Sequence, residues 1–189
     1  MPKRILAVNG SPRHGGNTAH MLSTVLEVCE SAGLETELYQ AGGRETRGCK
    51  ACLGCKTNPG RCVTDDWVNE VYKKMVAADA ILLGSPTYFA DMTPEMKAVI
   101  DRCGYISRSD GSSLSRKVGA AVSAVRRAGG VNTLDSMLRF FLINDMIVVG
   151  SSYWNMSLCR AVGEYEKDAE GVSTMQRLGE NIVWLLERI

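Results

Sequence analysis

Four cysteines fall in one short stretch of the chain, CKACLGCKTNPGRC, which places Cys49, Cys52, Cys55 and Cys62 at C-x2-C-x2-C-x6-C. Two-residue spacings let one compact loop turn several thiolates toward a common centre, and four thiolates suit a [4Fe–4S] cubane with one cysteine per iron. The wide last gap, containing Pro59 and Gly60, gives the chain room to bring Cys62 round. Other chemistries share these residues. Zinc accepts four thiolates, although its structural sites usually come as two separated C-x2-C pairs. The same thiols could be redox-active, or simply reduced, with no metal. A disulfide framework suits a cytoplasmic chain least. Cys29, Cys103 and Cys159 stand alone in sequence and read as small buried hydrophobes.

A second constellation is the glycine-rich stretch VNGSPRHGGNTAHML, residues 8–22. It reads as a phosphate cradle at the start of a helix, where inward-facing N–H groups and short hydroxyl or amide side chains complete an anion's hydrogen bonds. Gly10, Gly15 and Gly16 allow close backbone approach, and Ser11 and Thr18 offer hydroxyls. Asn17 can cap the helix, and Arg13 or His14 can supply charge. The loop is neither G-x-x-x-x-G-K-[ST] nor G-x-G-x-x-G, which weakens ATP and dinucleotide readings. GSPTYF (84–89) supplies Pro86, Thr87, Tyr88 and Phe89, a rigid turn with backbone polar groups and flat side chains suited to a planar ring. SAVRRAGGVNT (123–133) adds Arg126 and Arg127 beside paired glycines. No His–Asp–nucleophile set is legible; His14 and His20 both lie near the first loop. His20 reads as a surface or capping residue, so no general acid or base is assigned.

These loops need a scaffold to bring them together. RILAVNG, ETELYQ (35–40), AILLGS (80–85), KVGAAVSAV (117–125) and MIVVGSS (146–152) read as five strands. Most are continuously apolar, as in a parallel sheet covered on both faces. Between and after them lie helical patterns at TAHMLSTVLEVCESAG, WVNEVYKKMVAA, PEMKAVIDRC, VNTLDSMLRFFLIND and TMQRLGENIVWLLERI. The expected fold is α/β: a doubly wound, five-stranded parallel sheet with helices on both faces, in one domain spanning 1–189. Such sheets bind ligands outside the strand ends where the strand order reverses, here between the first and third strands. The longest irregular stretch, 41–64, holds the cysteine cluster as a loop insertion after strand 2. Asp65 and Asp66 follow it as favourable first-turn residues of a helix and receive no chemistry.

Composition narrows the partners. The 189 residues carry 22 basic and 21 acidic side chains, a net charge of +1, leaving no electrostatic footprint for nucleic acid or an acidic membrane surface. The N-terminal MPKRILAVNG has too short an apolar run for a signal peptide or a membrane span, so a cytoplasmic location is expected.

GSPRHGGNT after strand one, SPTYF after strand three and RRAGG after strand four resemble, in order and spacing, the NADPH-dependent FMN reductase group of flavodoxin-like proteins. The resemblance implies FMN, with Ser11, Arg13, Asn17 and Thr18 around the phosphate and Pro86, Thr87, Tyr88 and Phe89 beside the isoalloxazine. It also implies subunits that pair through helices near the flavin, as a homodimer or homotetramer. The cysteine spacing resembles the motif of the iron–sulfur flavoprotein branch, in which it ligates [4Fe–4S]. The expected function is an FMN-dependent oxidoreductase exchanging electrons between flavin and cluster, with NAD(P)H as a possible donor and a small molecule or protein as redox partner. Alternatives are a cluster-free NAD(P)H-dependent FMN or quinone reductase and a non-catalytic flavodoxin-like electron carrier; near-neutral charge argues against a dedicated carrier.

Overall fold

The structure, a computed structural model, describes residues 2–189. The chain runs β1 (Arg4–Asn9), α1 (Asn17–Ser31), β2 (Glu35–Gln40), the single turn α2 (Gly54–Thr57), α3 (Trp67–Ala77), β3 (Ala80–Pro86) and α4 (Pro94–Ser109). It continues through β4 (Val118–Val125), α5 (Gly130–Ile143), β5 (Ile147–Val148), β6 (Met156–Leu158) and α6 (Ala169–Leu186). The strand order is β2-β1-β3-β4-β5, with β6 also pairing β4, and every pairing is parallel. The order therefore reverses between β1 and β3, the expected switch point.

Alternating strand residues feed two cores. Leu6, Val8, Ile81 and Leu83 face the side covered by α3, α4 and α5. Ile5, Ala7, Leu82 and Val122 face α1 and α6. Burial of both faces explains why β1, β3 and β4 read as unbroken apolar runs. Among the described residues no helix is long and apolar enough to cross a membrane.

The expected fifth strand, 146–152, is broken in two. Ile147–Val148 pairs with Val118–Gly119, the chain leaves the sheet, and Met156–Leu158 returns beside Ser123–Val125. One local and one cross-sheet hydrogen bond accompany the break. Ser151 Oγ donates to the Asn155 side chain and its position competes with a ladder, while Ser123 N–H donates to the Asn155 carbonyl and re-registers the strand. Two helices are longer than their apolar patterns. α4 runs on to Ser109, and α6 starts at Ala169 because Asp168 caps it by accepting from Gly171 N–H.

Candidate cofactor sites

The loops after β1, β3 and β4 are tied together at the carboxyl edge of the sheet. Gly10 N–H donates to the Gly84 carbonyl, and Thr93 Oγ1 donates to the Gly10 carbonyl at 2.8 Å. The loop after β2 closes in from the other side: Gln40 Nε2 donates to the Ser11 carbonyl at 2.7 Å. A Cβ on Gly42 would lie 2.2 Å from the Ser11 carbonyl carbon, so only glycine fits there. Ser11 and Thr18 are buried, whereas Arg13 and His14 are exposed. Ser11 Oγ accepts from Arg13 N–H, which shapes the loop's turn. α1 has no acidic residue in its first turn and no side-chain cap, leaving the positive end of its dipole uncompensated.

Asn17 does not cap α1 as the sequence suggested. Gly16 holds the cap position, and Asn17 Nδ2 donates to the Ala161 carbonyl at 2.7 Å while its Oδ1 accepts from Gly163 N–H at 3.0 Å. Its carboxamide is thus committed to tying the 161–165 segment to the cradle. His20 is bonded to Glu166, the residue that follows this segment.

The turn after β3 is a two-residue hairpin. Tyr88 and Asp91 exchange backbone hydrogen bonds, and the residues between them, Phe89 and Ala90, sit at φ 49 and 63. That left-handed conformation is costly for residues other than glycine. The hairpin leaves Phe89 fully exposed and Tyr88 nearly half-exposed. Thr87 is less available than Tyr88. Its N–H donates to the Ala124 carbonyl, and its Oγ1 lies 3.0 Å from both Ser123 Oγ and Thr133 Oγ1, knitting β3, β4 and α5. The loop before α5 packs on this hairpin, since a Cβ on Gly129, at φ 87, would lie 2.8 Å from the Ala90 Cα. Arg126 and Arg127 are exposed there.

The second site lies between β2 and α3. Cys49, Cys52, Cys55 and Cys62 all line one narrow cleft of about 20 Å³, roughly the room one water molecule needs. Among the described residues no three His, Cys, Asp or Glu side chains are gathered as a metal site. Cys49 and Cys52 are exposed, while Cys55 and Cys62 are half-buried and pack against the core. Ala51 and Leu53 adopt left-handed φ values of 53 and 58, which turn the chain tightly between the first three cysteines. Ala51 N–H points to Cys49 Sγ at 3.4 Å, and Ser109 Oγ lies 3.6 Å from Cys55 Sγ.

Both arms of this loop are anchored. Cys62 N–H donates to Asn69 Oδ1 at 2.8 Å, and Asn69 Nδ2 donates back to the Cys62 carbonyl. Trp67 Nε1 donates to the Glu45 carbonyl. Arg102, on α4 and 1% exposed, reaches both arms: Nη1 donates to the Arg47 carbonyl and Nη2 to the Thr64 carbonyl. Both terminal nitrogens also donate to Asp66, which caps α3. Burial pulls the Arg102 pKa down, yet its bonds to Asp66 and its nearness to the Cys62 thiol carry it above its ordinary value. The isolated cysteines differ from the cluster. Cys29, Cys103 and Cys159 are buried, and burial pushes the Cys29 thiol up to about 12 and raises the other two. Such thiols are inert.

Residues 3–160 match the family of NADPH-dependent FMN reductases, more than four-fifths of the chain. The chain belongs to this family. An iron–sulfur flavoprotein of Methanocaldococcus jannaschii is 34% identical over 98% of both chains. One of Methanosarcina thermophila is 33% identical over 98% of this chain and 96% of its own. A flavodoxin, WrbA-like protein of Agrobacterium tumefaciens superposes with a TM-score of 0.67 at 17% identity, covering 100% of this chain and 99% of that one, which shows the flavodoxin-like fold.

As a member of the NADPH-dependent FMN reductase family, the chain is a flavoprotein oxidoreductase. Sequence reading missed the residues that support its loops. Gln40, Gly42 and Thr93 brace the first loop, and Asn69, Asp66 and Arg102 brace the cysteine loop. The signal for Arg102 was present: it is a basic residue among the buried positions Ala98, Val99, Cys103 and Ile106 of α4. The excursion between β5 and β6 adds an exposed aromatic pair, Tyr153 and Trp154, with ring centroids 5.0 Å apart, next to the strand that lies at the carboxyl end of β4.

Proposed function

We propose that this reductase holds FMN at the carboxyl edge of β1, β3 and β4 and a [4Fe–4S] cluster on Cys49, Cys52, Cys55 and Cys62, linking an NAD(P)H donor to a small-molecule or protein acceptor. Flavin would supply chemistry that accepts a hydride, two electrons at once, and releases electrons singly, which a cluster can carry. In this reading Ser11, Thr18 and the N–H groups ahead of α1 bind the phosphate, with Arg13 adding charge from the exposed side. Asn17 holds the cradle's outer wall through the 161–165 segment. Pro86 and the Thr87 backbone fix the turn, and Tyr88 and Phe89 offer flat faces to the ring.

The observation that carries the reading is that all four cysteines of the C-x2-C-x2-C-x6-C motif line one cleft, although they are not gathered there as a metal site. Its donor set is the one a four-iron cluster takes, and two of the sulfurs, Cys49 and Cys55, have an N–H and an O–H donor nearby. The cleft is narrow, so its outer wall, 49–53, must open for ligation. That narrowness favours the second reading, a cluster-free FMN or quinone reductase. The relatives named iron–sulfur flavoproteins support the first. Leu142 and Ile143, each 66% exposed at the end of α5, support pairing of subunits into a homodimer or homotetramer.

Anaerobic reductive titration distinguishes the two. With flavin and cluster both present, dithionite delivers about three electrons per chain, two to flavin and one to the cluster. Uptake of about two leaves flavin alone, and no reduction by NADPH removes that donor from the account.

A further inference from the structure

Arg102 carries five N–H donors in a planar fork. Four of its bonds are accounted for by Asp66, Arg47 and Thr64, all through Nη1 and Nη2. Its Nε–H is buried and has no hydrogen-bond partner. A buried donor left unpaired costs stability, and few persist without a reason. The side chain lines the cysteine cleft together with all four thiols, and it reaches this place from α4.

We propose that Arg102 is a positioning residue for the metal site, its terminal nitrogens clamping the two arms of the cysteine loop and its Nε–H kept as the hydrogen-bond donor to the Cys62 sulfur. The proposal rests on the reading of the four thiolates as cluster ligands. The geometry separates the two tasks. Asp66 fixes the plane of the guanidinium by accepting from both terminal nitrogens, so Nε cannot turn toward another acceptor without breaking that pair. Cys62 is held equally firmly, because Asn69 bonds both its N–H and its carbonyl. A cationic N–H donor at a ligand sulfur stabilises the more negative, reduced cluster and raises its potential. Cys49 and Cys55 have different donors, Ala51 N–H and Ser109 Oγ, which sets the Arg102 donor apart from theirs.

The test compares the reconstituted wild-type holoprotein with Arg102→Lys, which keeps a cation to meet Asp66 but has no Nε–H, and with Arg102→Met. Iron and sulfide content, circular dichroism and an EPR-monitored redox titration are measured on each. Arg102→Lys is expected to keep its flavin and fold while its cluster midpoint shifts to lower potential, with Arg102→Met losing iron as well. An unshifted midpoint in Arg102→Lys overturns the proposal. Should both variants misfold, wild type grown on arginine labelled with 15N at Nε decides: the reduced cluster must show a 15N hyperfine coupling in pulsed EPR, and its absence overturns the proposal. A wild type that takes up no iron overturns the cluster reading itself, a result distinct from a loaded cluster that ignores Arg102.

Discussion

Arg102 and Asp66 form a two-pronged ion pair, with Nη1 2.7 Å from one carboxylate oxygen and Nη2 2.7 Å from the other. Asp66 also accepts from Val68 N–H, so one carboxylate caps α3 and neutralises a fully buried cation on α4. Removing one partner of such a pair leaves a buried charge uncompensated. Asp66→Ala is therefore expected to lower unfolding stability by about 3–5 kcal/mol. Chemical denaturation measures this, and a loss below about 1 kcal/mol, the scale of a cap alone, would contradict it.

The phosphate cradle makes its own prediction. Ser11→Ala with Thr18→Val removes two hydroxyls at little change in volume. Each lost bond to a charged phosphate is expected to weaken FMN binding by about 1–3 kcal/mol. Gly42→Ala tests the same loop from behind, since its Cβ meets the Ser11 backbone at 2.2 Å. It is expected to lower both FMN affinity and stability. Fluorescence titration of the flavin-free protein reads the affinities, and wild-type values in both variants would remove the phosphate from this loop.

Phe89 is held at φ 49 with its ring in solvent. A left-handed residue with a side chain costs about 1–2 kcal/mol. Glycine relieves that cost and gives back about 0.5–1 kcal/mol in unfolded-chain entropy. Phe89→Gly is thus expected to leave stability equal or slightly higher while flavin retention or NADPH turnover falls. Thermal melting and turnover measured on one preparation check this. Unchanged turnover and retention would show that the strained aromatic serves neither.

Asp168 ties α6 to β6. Its carboxylate accepts from Gly171 N–H at 3.0 Å, Ser157 Oγ at 2.6 Å and Leu158 N–H at 3.2 Å. Burial opposes ionisation, but these bonds hold the carboxyl below its ordinary value of 3.8. Because the folded pKa lies below the unfolded one, this stabilisation is complete above that ordinary value and disappears as pH falls through the folded pKa. Asp168→Asn is expected to lose about 0.5–2 kcal/mol at pH 7 and to show a flatter acid unfolding curve below about pH 4. Parallel acid curves for wild type and variant would contradict the assignment.

Much of this architecture is legible in the sequence because burial on both sheet faces writes β1, β3 and β4 as apolar runs, and because glycine and proline mark the loops at their ends. The cysteine motif is legible because its spacing is short and local. What stays hidden is non-local. Nothing in the sequence around Ser151 tells that Asn155 will rejoin β4 and split the last strand. Asn17 looks like a cap until the 161–165 segment, more than a hundred residues away, takes its carboxamide. Asp66 looks like a helix-dipole residue until α4 brings Arg102 to it.

The account turns on whether the four clustered cysteines hold iron beside FMN, and direct analysis of anaerobically prepared, reconstituted protein tests it. The wild type is expected to contain about one FMN, about four iron and about four sulfide per chain. Replacing Cys49, Cys52, Cys55 or Cys62 singly by serine should strip most of the iron while leaving the flavin, and Cys29→Ala, Cys103→Ala and Cys159→Ala should keep both. Full flavin with no stoichiometric iron or sulfide in the wild type would contradict the account and leave a cluster-free FMN reductase.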